Sequence, residues 1–233
     1  MAFLEDYKAH VAERETLGVP PLPLSAEQTA ELIELIKADC TDELLDLLTN
    51  RVAPGVDDAA YVKAAFLNDV AAGNVAVVAI APQRAVEMLG MMLGGYNVKP
   101  MIDALSSSDA AVVAAAVESL NKTLLVYDAF NDVEELHKAG NVAATEVMTS
   151  WANAEWFTHK PALAEEITVT VYKVPGETNT DDLSPASEAF TRSDIPVHAN
   201  SFLVNKMENP LETIAELKKK GHPISYVGDV VGT

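Results

Sequence analysis

Cysteine is almost missing from this sequence, which holds only Cys40 among 233 residues. A lone thiol cannot form an intramolecular disulfide or a cysteine-based zinc site. It also cannot supply the three thiolates that hold an iron–sulfur cluster within one chain. Cys40 stands between Asp39 and Thr41, at a predicted junction between two helices. We therefore interpret it as a structural residue.

Basic residues are scarce as well, with 16 Lys and Arg against 35 Asp and Glu and a formal net charge of -19. Binding to nucleic acid or to an anionic membrane needs a cationic face, so the composition argues against both classes of partner. The basic run 218–220 closes a predicted helix, where lysines favour the negative end of the helix dipole. RNA binding is accordingly not expected.

Long apolar runs are also lacking, and none reaches the length that spans a membrane. The first ten residues carry acidic side chains where a signal peptide has basic ones followed by an apolar core. The five histidines are scattered without the spacing of metal ligands. These features predict a soluble cytoplasmic protein without a metal site. Its hydrophobic content of 49% is enough to build a core.

Helical periodicity with short breaks runs from Phe3 to Glu165. Ser25 followed by Gln28 three residues later predicts a capping box at a helix start. The starts of predicted helix pairs recur at intervals of about 30 to 40 residues, which is typical of helical-hairpin solenoids. These starts lie near Ser25, Asp57, Val98 and Asn131.

The stretch after the helices reads as a strand followed by a polar loop. Residues 168–174 are mostly β-branched or aromatic, which predicts a strand, and Pro175-Gly176 is expected to stop it. Residues 177–184 are rich in small oxygen-bearing side chains that can hold a loop in one shape. On residue chemistry alone, a capped surface loop is the simpler interpretation. Beyond it, 210–220 predicts a helix and 224–231 a second strand.

This loop carries a resemblance to a known family. Residues 179–186, NTDDLSPA, are similar to the TTDxxSPA element of the aconitase swivelling domain, and the longer GETNTDDLSPA is similar to the aconitase B family. Four further segments resemble that family: LLTNRVAPGVD at 47–57, MLGMMLGGYN at 88–97, SWANAEWF at 150–157 and RSDIPVHA at 192–199.

The resemblance implies a mostly α fold with two domains. Residues 1–165 would form a HEAT-like stack of antiparallel helix pairs, and 166–233 would begin a β/α swivelling domain. It also implies a role in the isomerisation of citrate to isocitrate through cis-aconitate in the tricarboxylic acid cycle, with a [4Fe-4S] cluster in the full-length family. Arg192 and Asp181 match positions assigned to substrate binding. Without the resemblance, Arg192 would be a surface arginine paired with Asp194, Asp181 an exposed loop carboxylate, and His198 a packed or capping histidine.

The sequence departs from the family pattern in one respect. In the family, the last strand leads into a GSSR loop with the catalytic serine, whereas this sequence stops at Gly232-Thr233. The cluster cysteines are absent too, so we expect no cofactor and no catalysis from this chain alone. Its expected role is protein contact and part of a substrate tunnel, with the remaining aconitase domains or a second copy as partner. A stand-alone regulatory protein and one half of a split aconitase are the alternatives.

Overall fold

The computed structural model describes residues 2–123, 126, 129–189 and 194–231. The chain divides into two compact units. Leu22–Pro161 form one, called here the helical unit. Met1–Pro21 and Ala162–Thr233 form the other, called here the mixed unit.

The helical unit consists of helices joined by short connections. Their bounds are α2 Ala26–Ala38, α3 Asp42–Asn50, α4 Asp58–Ala71, α5 Pro82–Gly90, α6 Val98–Ala104, α7 Ala110–Lys122, α8 Ala129–Lys138, α9 Val142–Ala152 and α10 Glu155–Thr158.

The starts of these helices follow from their capping residues. The Ser25 hydroxyl accepts a hydrogen bond from the Gln28 backbone, and the Gln28 side chain accepts one from the Ser25 backbone. The predicted capping box is therefore confirmed. Thr41 and Asp57 cap α3 and α4 in the same manner, each accepting a backbone N–H three residues later. Such bonds satisfy donors that a helix start otherwise leaves without a partner.

The helices pack as the predicted pairs. Within each pair α2 contacts α3, α4 contacts α5, α6 contacts α7 and α8 contacts α9. Successive pairs stack through α2 on α4, α5 on α7 and α7 on α9. Because each pair leaves an apolar face that the next one covers, the core is continuous along the stack. Its fully buried side chains include Leu32, Ile36, Leu48, Leu67, Met88, Leu89, Met101, Ile102 and Leu120.

Two connections of the helical unit meet at a very close approach. The Leu93 backbone donates a hydrogen bond of 2.7 Å to the Pro54 carbonyl. A Cβ atom on Gly94 would lie 1.9 Å from the Gly55 carbonyl oxygen, so only glycine fits there. The Tyr96 hydroxyl donates to the Val56 carbonyl at 3.0 Å. Two of the segments that carry the family resemblance are thus joined to each other.

The mixed unit combines a parallel pair of strands with short helices. Its elements are α1 Ala2–Thr16, β1 Thr170–Thr178, α11 Thr180–Leu183, α12 Ile195–Ala199, α13 Pro210–Lys218 and β2 Ile224–Val231, with a 3-10 turn at Ala186–Glu188. The strands pair in register from Thr170 with Ile224 to Thr178 with Val231. The helix α13 packs on β1. The expected mostly α fold with a partial β/α region is therefore confirmed.

The core of the mixed unit is small. Tyr172 and Val174 of β1 and Leu203 form its buried centre, and five partly buried side chains pack against it: Phe202, Met207, Ile214, Leu217 and Ile224. Leu203 has a φ of 56°, an unusual backbone conformation for a leucine. Its backbone N–H donates to the Asp182 carbonyl at 2.9 Å, which holds it against the loop after β1.

The first helix, α1, groups with the C-terminal part of the chain, although a boundary at 165/166 places it with the other helices. That boundary stays a prediction. In the part of the chain that the structure describes, none of the helices has the length and apolar character needed to cross a bilayer.

Candidate functional site

A β-bulge interrupts β1 near its end, and the expectation that Pro175-Gly176 stops the strand was wrong. Pairing passes from Val174 opposite Gly228 to Glu177 opposite Val230, so β1 holds one extra residue. Gly176 adopts a φ of 75°, which glycine allows without strain. The Asp229 carboxylate accepts a hydrogen bond of 2.7 Å from the Gly176 N–H and pairs with the Lys173 ammonium. These contacts stabilise the bulge and carry the strand on to Thr178.

The next turn, α11, is held by a second capping box. The Asn179 side chain accepts from the Asp182 N–H at 3.1 Å, and the Asp182 carboxylate accepts from the Asn179 N–H at 3.0 Å. The Lys206 ammonium donates to that carboxylate at 3.0 Å. Hydrogen bonding from the Asn179 backbone, and then from Lys206, lowers the pKa of Asp182. This carboxylate is therefore a structural anchor of the loop.

Asp181 lies on the exposed side of the same turn. One of its carboxylate oxygens accepts a hydrogen bond of 3.3 Å from the Ala186 N–H, across the Ser184-Pro185 step. Pro185, which follows the turn, is buried. The structure thus presents Asp181 at the surface of an ordered loop. Arg192, the other predicted substrate-binding residue, lies outside the described residues.

A cavity of about 520 Å³ opens beside this loop. At its rim the Ser184 Oγ lies 2.8 Å from the His198 Nε2, which joins the loop to α12. His198 is half-buried, and its ring partner is a side chain of the loop. The remaining walls are mostly apolar and come from α12, the turn after it, α13 and β2: Ile195, Phe202, Leu211, Ile214, Ile224 and Tyr226.

The described residues do not fit an iron–sulfur cluster or a metal ion. They contain no group of three or more His, Cys, Asp and Glu side chains that could hold a metal. Cys40 is half-buried between α2 and α3, and burial raises the pKa of its thiol. A thiol that resists deprotonation is a poor ligand, because the thiolate is the form that binds metal.

The arrangement is suited to holding a polar solute. It brings the Ser184 hydroxyl of the loop and the His198 imidazole of α12 to the rim of an apolar cavity. The exposed Asp181 carboxylate lies three residues before Ser184 on the same hydrogen-bonded loop. Reasoning from sequence singled out Asp181, whose role stays a prediction, but missed Lys206 and Asp229, which hold the loop. These partners lie 24 and 53 residues from the groups that they bind, and no local pattern links them.

Two family models match the chain. The model described as "Aconitate B N-terminal domain" matches residues 6–157, and the one described as "Aconitate hydratase 2 N-terminus" matches residues 169–233. The second match contains the bulge, the capped turn and the cavity described above.

Curated proteins are similar over nearly the whole chain. Aconitate hydratase B of Synechocystis is 57% identical over 233 residues, which cover 99% of this chain and 27% of that protein. The proteins of the same name from Salmonella typhimurium and Escherichia coli are each 54% identical over 243 residues, which cover 99% of this chain and 28% of theirs. The chain thus spans little more than a quarter of the length of these relatives.

Proposed function

The chain belongs to the aconitate hydratase B family, and on that premise we propose that it forms the N-terminal portion of an enzyme that interconverts citrate and isocitrate through cis-aconitate in the tricarboxylic acid cycle. In this proposal it acts in the cytoplasm as a scaffold and as one wall of the substrate pocket. The observation that carries the proposal is the loop after β1. Its family-like sequence adopts a doubly bonded turn that exposes Asp181, and the next residues of the loop, Leu183 and Ser184, line a cavity.

We assign the helical unit to protein contact, with a second copy or the remaining enzyme domains as partner, and to part of the substrate tunnel. Stacked helix pairs commonly provide extended binding surfaces. The unit exposes several large apolar side chains that support such a role, namely Val56, Val78, Leu93 and Val142.

Asp181 and Arg192 are proposed to face the substrate. The planar guanidinium of an arginine binds a carboxylate through two hydrogen bonds, which suits a tricarboxylic acid. Asp181 would accept hydrogen bonds from the substrate hydroxyl or from neighbouring donors. The cysteines that hold the iron–sulfur cluster would come from residues outside these 233, because Cys40 is the only cysteine among them. We propose that the base comes from outside them as well.

A chimeric enzyme tests the proposal. The matching segment of the Synechocystis relative is replaced by this chain, and turnover of citrate and isocitrate is measured. We expect the chimera to retain activity, and the chain alone to show none. The variant Asp181→Asn is expected to raise the KM for citrate about 10-fold, since one hydrogen bond to a charged group contributes roughly 1.5–3 kcal/mol.

Glu166→Gln is the matched control, because it removes the same charge at an exposed position before β1. It should leave KM unchanged. A folded chimera without turnover would refute the proposed function. Equal KM values for both variants would refute the role of Asp181. Turnover by the chain alone would refute the assignment of the reacting groups to other residues.

A further inference from the structure

The end of α1 is bound to both ends of α12. At one end, the Arg14 guanidinium binds the Asp194 carboxylate through two hydrogen bonds, of 2.6 and 3.1 Å. Asp194 is the N-cap of α12, and its carboxylate also accepts from the Val197 N–H at 3.0 Å. At the other end, the side chain of Asn200, the C-cap residue, donates to the Leu17 carbonyl at 3.2 Å.

The Arg14–Asp194 pair is largely shielded from water. The Arg14 side chain is 7% exposed and that of Asp194 is 16% exposed. Arg14 also donates from Nε to the Pro20 carbonyl at 2.9 Å. The hydrogen bond to Asp194 raises the pKa of Arg14, so the guanidinium stays charged at every physiological pH. A shielded pair with two parallel bonds fixes orientation as well as distance.

Helix α12 depends on such external contacts. It is five residues long, and a helix of that length is not stable by itself in water. One of its residues, His198, lies 2.8 Å from the Ser184 Oγ of the loop. A continuous series of contacts therefore leads from Arg14 through Asp194 and α12 to His198, and from there to the loop that presents Asp181.

We propose that Arg14 is a positioning residue for this loop. Through Asp194 it fixes α12, and the His198–Ser184 contact then holds the turn α11 and Asp181 in the orientation that faces the substrate. The N-terminal helix α1 would thus contribute to the function of the mixed unit through Arg14. The consequence for catalysis rests on the proposed function, whereas the mechanical link does not.

Hydrogen exchange on the chain itself tests the mechanical link. In Arg14→Gln, we expect the backbone amides of Asp182, Ser184 and Ala186 to exchange about 10-fold faster, because opening of the turn becomes about 1.4 kcal/mol easier. Arg14→Lys keeps the positive charge but cannot form the two parallel hydrogen bonds to Asp194. It should therefore restore part of the protection that Arg14→Gln loses. The control Arg84→Gln breaks an exposed pair within α5 and should leave these amides unchanged.

Two weaker variants keep the test decisive if Arg14→Gln fails to fold. Asn200→Ala removes only the bond to Leu17, and His198→Phe removes only the bond to Ser184. Each should speed exchange of the loop amides two- to fivefold. Exchange at wild-type rates in these folded variants, or in folded Arg14→Gln, would overturn the proposal.

The chimeric enzyme separates this inference from the proposed function. Arg14→Gln should lower kcat/KM for citrate 10- to 100-fold, with partial rescue by Arg14→Lys and no change in Arg84→Gln. An inactive parent chimera together with faster loop exchange would refute the proposed function and leave the link standing. An active chimera that Arg14→Gln does not affect, with unchanged exchange, would refute the link alone.

Discussion

The two units of this chain bury their apolar side chains to very different extents. The largest fully buried side chains among the described residues belong mostly to the helical unit, and Leu203 is the one that the mixed unit contributes. In contrast, the strands of the mixed unit expose Val171, Tyr226 and Val230. The helical unit is thus stabilised mainly by its own core, whereas much apolar surface of the mixed unit has no cover within the residues described.

The difference in burial reflects how each unit is connected. In the helical unit, neighbours along the chain are neighbours in space, so each pair of helices is covered by the next. In the mixed unit, the important contacts join distant residues, such as Arg14 with Asp194 and Gly176 with Asp229. We therefore expect the helical unit to be the more stable and the mixed unit to depend on polar contacts and on further partners.

The largest expected effect comes from the close approach at Gly94. In Gly94→Ala, the new Cβ would lie 1.9 Å from the Gly55 carbonyl oxygen, so two connections must separate. We expect the free energy of unfolding of the helical unit to fall by about 4 kcal/mol, which is more than is usual for overpacking, because the new atom meets backbone that cannot rotate away. Fluorescence of Trp151 and Trp156 during urea unfolding measures this, because both tryptophans lie in this unit.

Gly55→Ala is the matched control for Gly94→Ala. No atom of the described residues lies within 4 Å of a Cβ at Gly55, although the Gly55 carbonyl forms the other side of the same contact. It should change the free energy of unfolding by less than about 0.5 kcal/mol. Equal effects of the two substitutions would show that the close approach at Gly94 does not determine the stability of the helical unit.

The second prediction compares one leucine from each core. Leu89 of α5 and Leu203 are both fully buried. Truncation of either side chain to alanine should lower the free energy of unfolding of its unit by about 2–5 kcal/mol. In the helical unit, Leu89→Ala lowers the urea midpoint but leaves a folded protein. In the mixed unit, Leu203→Ala should abolish protection of the β1 amides from exchange while the tryptophan signal stays unchanged. If either variant lost both the tryptophan signal and the protection of the β1 amides, the two units would not be stable independently of each other.

The third prediction concerns Lys63, a lysine buried in the helical unit. Its ammonium donates to the Thr49 carbonyl at 3.4 Å, and burial lowers its pKa from 10.5 to about 8. Between these values the unfolded chain holds a proton that the folded chain has lost, so stability contributed by this group rises with pH. Relative to Lys63→Met, wild-type stability should rise by roughly 3 kcal/mol from pH 7 to pH 10.5.

The same comparison with Lys122→Met serves as control, since Lys122 is exposed in a pair with Glu118. Its difference from wild type should stay flat across this range of pH. A flat difference for Lys63→Met as well would mean that the amine is not buried as described.

The contrast between the units also decides what the sequence could predict. Caps and helix pairs of the helical unit were predictable, because Ser25, Thr41 and Asp57 act on backbone groups three residues away. The end of β1 was not, because Pro175-Gly176 normally stops a strand and the group that stabilises the bulge lies on β2.

The candidate site shows the same limit. The exposed position of Asp181 in a polar loop was predictable from local residue chemistry. The contacts that hold the turn in place were not. Asp194 pairs with Arg14 across 180 residues of sequence, and no periodicity or spacing encodes that contact. The geometry of the candidate site was therefore hardest to predict where it depends on contacts between residues that are far apart in the sequence.

The smallest expected effects come from the two capping boxes. Both use the same pair of hydrogen bonds, but one starts a long helix and the other holds the turn that carries Asp181. Ser25 caps a helix of 13 residues, whereas Asn179 caps one of four. Ser25→Ala should lower the stability of the helical unit by about 1 kcal/mol, the usual loss for a helix cap. Asn179→Ala should change global stability by less than about 0.5 kcal/mol, because so short a helix adds little to it.

Asn179→Ala should instead act on the site. Without the cap, the turn that carries Asp181 loses one of its two reciprocal bonds, so the Asp182 amide should exchange faster and the KM for citrate of the chimera should rise. Ser25→Ala should change neither. If Asn179→Ala were the more destabilising substitution and left KM intact, the loop would be part of the structural core, and the contrast between a self-supporting helical unit and a site-bearing mixed unit would fail.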